Sequence, residues 1–200
     1  MKYCIVIALA FVTNSYAIST EQFINLIDKN KTLQGFFLQT TEDNIGTSYQ
    51  PETGKFYVKR PNKFIWHYDQ EDGQKIVSTG TRIWIEQPDL QQVSHTTIDN
   101  AIKSSPIAIL LSPRELSKHF KLISKPKVNS QEWLELVPLD KENLTFETLS
   151  VGIEDGNIKS IKVTDSFART VTIVLYITKQ NHPINDNIFD YQPIEYNDRE

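Results

Sequence analysis

Apolar and polar residues alternate over much of this chain. Phe56 and Val58 alternate with Tyr57 and Lys59; Phe64, Trp66 and Tyr68 alternate with Ile65 and His67; Ile83 and Ile85 flank Trp84. A period of two places alternate side chains on one face of a strand. Turn-forming pairs separate these runs at short intervals: Pro61-Asn62, Asp72-Gly73, Thr79-Gly80 and Pro88-Asp89. That spacing predicts a meander of hairpins. The second half has the same style. Strands are expected near Lys121–Lys127, Glu132–Pro138, Phe146–Glu154, Ile158–Asp165 and Thr170–Lys179, with polar turns in the 140s and at Asp155-Gly156. The count comes to about eleven strands.

Three places break the alternation. Ser19 and Gln22 form an S-x-x-Q capping box, which satisfies orphan amides at a helix start. Phe23, Leu26 and Ile27 follow at i, i+3 and i+4, so a short helix with one apolar face is predicted. Ser105-Pro106 reads as a second helix start, with a serine cap and proline at the first helical position. The run Ile107-Ala108-Ile109-Leu110-Leu111 that follows is apolar all round and must be covered on more than one side. Ser112-Pro113-Arg114-Glu115 starts a third helix, with Leu116 and Phe120 four apart on its apolar face. The pattern alone fits either a plug of the sheet's interior or a lid over an apolar cavity.

The first residues read as an address. Met1-Lys2 is a short positive start, Tyr3 to Val12 is apolar, and Ser15-Tyr16-Ala17 is a small-x-small cleavage signal. A membrane span needs about 20 apolar residues, so this stretch is too short for one. Residues 1–17 are expected to be a signal peptide and 18–200 a single exported domain. The one cysteine, Cys4, precedes most of the apolar stretch, whereas a bacterial lipoprotein carries its cysteine just after it. The mature chain is therefore expected to have no disulfide and no lipid anchor.

Composition narrows the class further. Of the 200 residues 39% are apolar and 23% charged, which excludes a disordered tail, a collagen and a multi-span membrane protein. The net charge is −4, and −5 once Lys2 is removed with the leader, from 20 basic and 25 acidic residues. A nucleic-acid binder would instead show a basic stripe. Catalytic patterns are absent. His67, His95, His119 and His182 have no metal-ligand spacing, there is no G-x-S-x-G elbow, and seven glycines make no phosphate loop. Asp69, Glu71 and Asp72 cluster where a solvated turn is expected. No cofactor and no catalytic residue is expected, although a spatial triad is set by geometry rather than by sequence order.

The most specific stretch is Arg60-Pro61-Asn62-Lys63-Phe64-Ile65-Trp66, which resembles the R-P-x-x-F-x-W signature of the LolA family of periplasmic outer-membrane lipoprotein carriers. Phe37-x-Gln39 resembles that family's F-x-Q, and Trp84 followed by Asp89-Leu90-Gln91-Gln92-Val93 resembles its W-x-x-x-x-D-L-x-Q-V. Ser105-Pro106-Ile107-Ala108-Ile109-Leu110-Leu111 resembles its lid-helix T/S-P-x-x-L-L, and Trp133-x-x-Leu136-x-Pro138 its W-x-L-x-P. These run in collinear order over nearly the whole mature chain. Two departures stand out: Ala168 where the family usually has glycine in D-x-x-G-Q, and a tail from Pro193 to Glu200 without P-x-G-V-D.

The resemblance implies a mainly β (α+β) fold, an unclosed and strongly curved antiparallel β-barrel with short helices lidding an apolar cavity. It also implies that the cavity takes the acyl chains of lipoproteins. The cargo would come from an inner-membrane ABC transporter, cross the periplasm and pass to an outer-membrane lipoprotein receptor. No nucleic-acid partner and a monomeric state are expected. Arg60 would latch the lid by hydrogen-bonding carbonyls of the lid helix, and Phe64 would face the opening used for hand-over. Leu26, Ile27, Phe37, Trp66, Ile107, Leu110 and Leu111 are candidates for the cavity and lid. The alternatives are a binder of another lipid or apolar ligand, and a receptor-like paralogue of the same fold.

Overall fold

The computed structural model describes residues 18–194 and 196, apart from 106, 108, 109, 111, 112 and 141–145. The capping box forms as the sequence predicts. Ser19 Oγ accepts from the Gln22 amide at 3.1 Å, and Gln22 Oε1 accepts from the Ser19 amide at 2.7 Å. Helix α1 (Thr20–Lys29) follows and buries Phe23 and Ile27.

Among the described residues eleven antiparallel strands form one sheet, matching the expected number. They are β1 (Thr32–Glu42), β2 (Glu52–Lys59), β3 (Lys63–Tyr68), β4 (Lys75–Thr79), β5 (Arg82–Gln87), β6 (Gln92–Thr97), β7 (Phe120–Val128), β8 (Gln131–Pro138), β9 (Thr148–Glu154), β10 (Asn157–Thr164) and β11 (Thr170–Gln180). The order is β6-β5-β4-β3-β2-β1-β11-β10-β9-β8-β7. Two meanders are thus joined where β1 pairs with β11, from Leu33 opposite Gln180 to Glu42 opposite Thr170. The sheet curls without closing, with β6 and β7 at its edges. Helices α2 (Ile98–Ser104) and α3 (Pro113–His119) lie between those strands in the chain, so the segment carrying them links one edge to the other.

This segment corrects one expectation. Ser105 follows a helix rather than a loop: it ends α2, its amide donating to the Ala101 carbonyl at 2.7 Å. Pro106, the expected first helical residue, lies outside the described residues. Thr97 is the cap that starts α2, accepting from the Asn100 amide at 3.3 Å. Ile107 and Leu110 lie in tight 3-10 turns rather than in an α-helix, and both are buried. The expected start of the third helix at Pro113 is found.

Turn chemistry explains the hairpins. Asp155 and Gly156 take φ of 49° and 72° between β9 and β10, the left-handed pair a two-residue hairpin needs. Ala168, between β10 and β11, also takes a positive φ of 57°. Asp165 organises that turn: Oδ1 accepts from the amides of Phe167 and Arg169 at 2.9 Å, and Oδ2 from Arg169 Nε at 2.7 Å. An alanine Cβ is disfavoured in the left-handed region by about 1–2 kcal/mol. Glycine's greater freedom in the unfolded chain offsets about half of that. Ala168→Gly is therefore expected to stabilise the protein by about 0.5–1 kcal/mol, read as a higher urea midpoint with an unchanged slope.

After β11 the chain returns over the outer face of the sheet. A 3-10 turn, Asp186–Phe189, brings Phe189 onto Ile65 and Val77, with Tyr57, Ile184 and Tyr191 packed around them. These strand residues have the parity opposite to that of Phe64 and Trp66, so this second small core lies on the opposite side of the sheet from the main one.

Candidate functional site

Period two puts Leu33 and Phe37 of β1, Phe56 and Val58 of β2, Phe64 and Trp66 of β3, and Ile83 of β5 on the inner face. All are buried in one cluster. Phe37 stacks on Trp66 with ring centroids 3.8 Å apart. Gly54 makes this possible. It lies opposite Phe37 in register, and a Cβ there would come within 2.3 Å of the Phe37 ring. Phe56 and Phe64 flank Trp66 at 6.0 Å, and Tyr68 meets Phe37 edge-on at 5.0 Å.

The helices cover this aromatic floor. Phe23 and Ile27 of α1, Ala101 and Ile102 of α2, Ile107, Leu110, and Leu116 of α3 belong to the same buried cluster. Leu26 packs against it while partly exposed. Of the residues singled out in the sequence, Ile27, Phe37, Phe64, Trp66, Ile107 and Leu110 come together here. Leu111 lies outside the described residues. Phe23, Phe56, Ala101, Ile102 and Leu116 join them and were not singled out as site residues. Ile98, Ala101 and Ile102, at i, i+3 and i+4, were the available sign of α2. The apolar face is thus covered by side chains of short helical pieces.

Arg60 lies just past the end of β2. Its amide donates to the Lys31 carbonyl at 2.8 Å. Its parity is that of Phe56 and Val58, so its side chain points inward. Nε and Nη1 are enclosed and find no hydrogen-bond partner among the described residues. Burial pulls the guanidinium down to about 10, against an opposing pull from the Asp28 carboxylate of α1. It is still a cation at neutral pH.

The inner face changes character at the end of the strands away from Arg60. The row Leu33, Gly35, Phe37 ends in Gln39, and the row Val58, Phe56, Gly54 ends in Glu52. Gln39 Nε2 donates to Glu52 Oε2 at 2.7 Å, and Tyr68 Oη donates to Gln39 Oε1 at 3.0 Å. Burial, first of all, pushes the Tyr68 phenol up. A cavity of about 630 Å³ opens beyond them, lined by polar side chains that include Asp72 and Asp89. Asp69, Glu71 and Asp72 sit at the β3–β4 turn and are exposed. No cluster of metal-ligating side chains occurs among the described residues, and no described helix is long and apolar enough to cross a membrane.

Comparison with known proteins places this arrangement. Residues 28–192 match the family model of the outer membrane lipoprotein carrier protein LolA. The outer-membrane lipoprotein carrier protein of Cupriavidus pinatubonensis is 30% identical over 185 residues, covering 91% of this chain and 87% of that protein. Its counterpart in Nitrosomonas europaea is 31% identical over 178 residues, covering 88% and 84%. Among solved structures, a LolA superfamily protein from Nitrosomonas europaea shares the fold, with a TM-score of 0.53 at 12% identity over 88% of this chain and 99% of that one. On the strength of the family match and of these relatives, the chain belongs to the LolA family of outer membrane lipoprotein carrier proteins.

Proposed function

We propose that this protein is an exported periplasmic carrier that encloses lipoprotein acyl chains against the inner face of its sheet. Residues 1–17 serve as the export signal, and the mature chain works as a monomer without cofactor or catalysis. It takes cargo from an inner-membrane ABC transporter and gives it to an outer-membrane receptor. The observation that carries this reading is an apolar inner face, in an unclosed sheet, covered among the described residues by short helical pieces. Such a cover can be displaced without breaking the strand ladder.

Magnitudes support a displaceable cover. Burying an acyl chain is worth about 0.8 kcal/mol per methylene, or roughly 12 kcal/mol for a chain of about 16 carbons. A soluble carrier must hide such a chain, and an empty carrier must hide its own apolar surface. Leu26, Ile27, Phe37, Phe64, Trp66, Ile107 and Leu110 would trade contacts with one another for contacts with cargo, and Leu111 would join them on the cargo. Arg60 acts as latch. Two of its donors are buried and find no partner among the described residues, so it has bonding capacity for main-chain carbonyls of the lid segment. Charge-assisted bonds of roughly 1.5–3 kcal/mol each would form while cargo displaces the lid and draw it back as cargo leaves. Release needs only a receptor that is a better apolar host.

The test is a release assay. Purified mature protein is added to Gram-negative spheroplasts, and the supernatant is analysed for soluble acylated lipoproteins. One-to-one complexes are expected. A different lipid found by native mass spectrometry, with no lipoprotein released, would move the function to another apolar-ligand carrier.

A further inference from the structure

The turn that carries Arg60 is held from the far end of the chain. Lys59 and Lys63 are directly opposite one another at the end of the β2–β3 hairpin. Two like charges in that register repel and weaken the pairing. Their parity turns both away from the main core, to the side where the segment after β11 lies. There Asp186 sits between them, Oδ1 at 2.6 Å from Lys63 Nζ and Oδ2 at 3.1 Å from Lys59 Nζ. The Ile184 carbonyl accepts a further bond from Lys59 Nζ at 2.9 Å. The segment is itself anchored. Phe189 is 1% exposed, Lys63 Nζ lies 5.9 Å from its ring centre, and Tyr191 Oη donates to Glu86 at 3.1 Å.

We infer that Asp186 is a positioning residue for Arg60, fixing the 60–62 turn from outside through Lys59 and Lys63. This rests on the latch reading of Arg60 above. Arg60 faces inward while its two lysine neighbours face outward, so gripping both lysines sets the pose from which the guanidinium enters the interior. A carboxylate between the lysines turns a repulsive pair into an attractive triad. Without it the hairpin end opens more readily, and Arg60 loses its fixed approach to the lid. The C-terminal segment, which carries no cargo-facing residue in this scheme, thus acts on the latch.

Asp186→Asn, Asp186→Glu, Arg60→Leu and the Arg60→Leu/Asp186→Asn double variant separate the possibilities. Amide exchange of Arg60, Asn62 and Lys63 is measured on each, together with the rate of cargo transfer to receptor. Asp186→Asn is expected to speed exchange at the turn and slow transfer about three- to fivefold, the scale of losing an exposed ion-pair network. Asp186→Glu should recover most of both. The double variant should transfer no worse than Arg60→Leu alone, because Asp186 acts through Arg60. Unchanged exchange in Asp186→Asn, or losses that add in the double variant, would overturn the inference. If Arg60→Leu itself transfers normally, the latch reading falls instead. The exchange data then decide by themselves whether Asp186 holds the turn.

Discussion

Arg60→Leu is expected to make the protein more stable and to stop it delivering cargo. The two effects have one cause. Nε and Nη1 of Arg60 are enclosed without hydrogen-bond partners among the described residues, and burial already pulls the guanidinium down to about 10. Leaving a buried donor unsatisfied costs about 1–3 kcal/mol, and an apolar side chain of similar reach does not incur that cost. The Asp28 carboxylate loses a favourable charge, which offsets part of the gain. A net gain of about 1–2 kcal/mol corresponds to a melting temperature higher by roughly 2–8 °C at this chain length. In cargo transfer the sign reverses. A leucine makes the interior a better host for acyl chains and removes the group that draws the lid back. Uptake should persist while transfer to receptor falls at least about tenfold, an increase of about 1.4 kcal/mol in what the receptor must supply. Arg60→Lys keeps the charge without the planar fork and should retain only part of the transfer. A lower melting temperature for Arg60→Leu would mean that the guanidinium is paired in solution, and unchanged transfer would remove its latch role.

Much of the fold was legible because strands announce themselves locally. The alternation around Phe56, Phe64, Trp66 and Ile83 gave both the strands and their inner faces, and the paired turn residues gave the hairpins. The join between the two meanders was not legible. Leu33 pairs with Gln180 across nearly the whole chain, and no local pattern states which distant strand will be the neighbour. Helix α2 is weakly marked: its period at Ile98, Ala101 and Ile102 is short, and the stronger start motif, Ser105-Pro106, comes only at its end. Here the serine before proline ends one helix, since the residue preceding proline is pushed out of helical conformation. The second core on the outer face was also hidden. Ile65 and Val77 read as ordinary positions on the less apolar side of a half-buried strand. Only the return of Phe189 over them explains why both are buried.

The candidate site followed the same division. Residues on the aromatic floor were found because they continue a strand's period. The inward turn of Arg60 follows from the same parity, but the lack of partners for its donors among the described residues does not, because hydrogen bonding depends on what the helices bring near. Asp186 could not be foreseen at all. It is an exposed aspartate in the segment after β11, and its importance comes only from the two lysines it meets.

Trp66→Ala is expected to cause the largest loss of stability of any single change in the site, and its size tests whether the floor is packed or wet. Trp66 is 0% exposed, stacked on Phe37 at 3.8 Å and flanked by Phe56 and Phe64 at 6.0 Å. Removing a buried tryptophan side chain from such packing costs about 3–5 kcal/mol, because transfer energy and cavity energy are both lost. At roughly 2–4 °C per kcal/mol the melting temperature should drop by about 6–20 °C. A tryptophan lining a water-filled cavity would lose far less, since no apolar contacts would be forfeited and water would fill the space. A loss under about 1 kcal/mol would therefore show that the helices do not pack on the floor in solution. Added acyl ligand sharpens the distinction. An empty apolar cavity stays dry and takes up apolar guests. An acylated peptide should then recover much of the lost melting temperature in Trp66→Ala while raising that of the unmodified protein by the ordinary ligand-linked amount. If instead the acylated peptide leaves Trp66→Ala unprotected but still protects the unmodified protein, Trp66 is itself part of the surface that holds the chain.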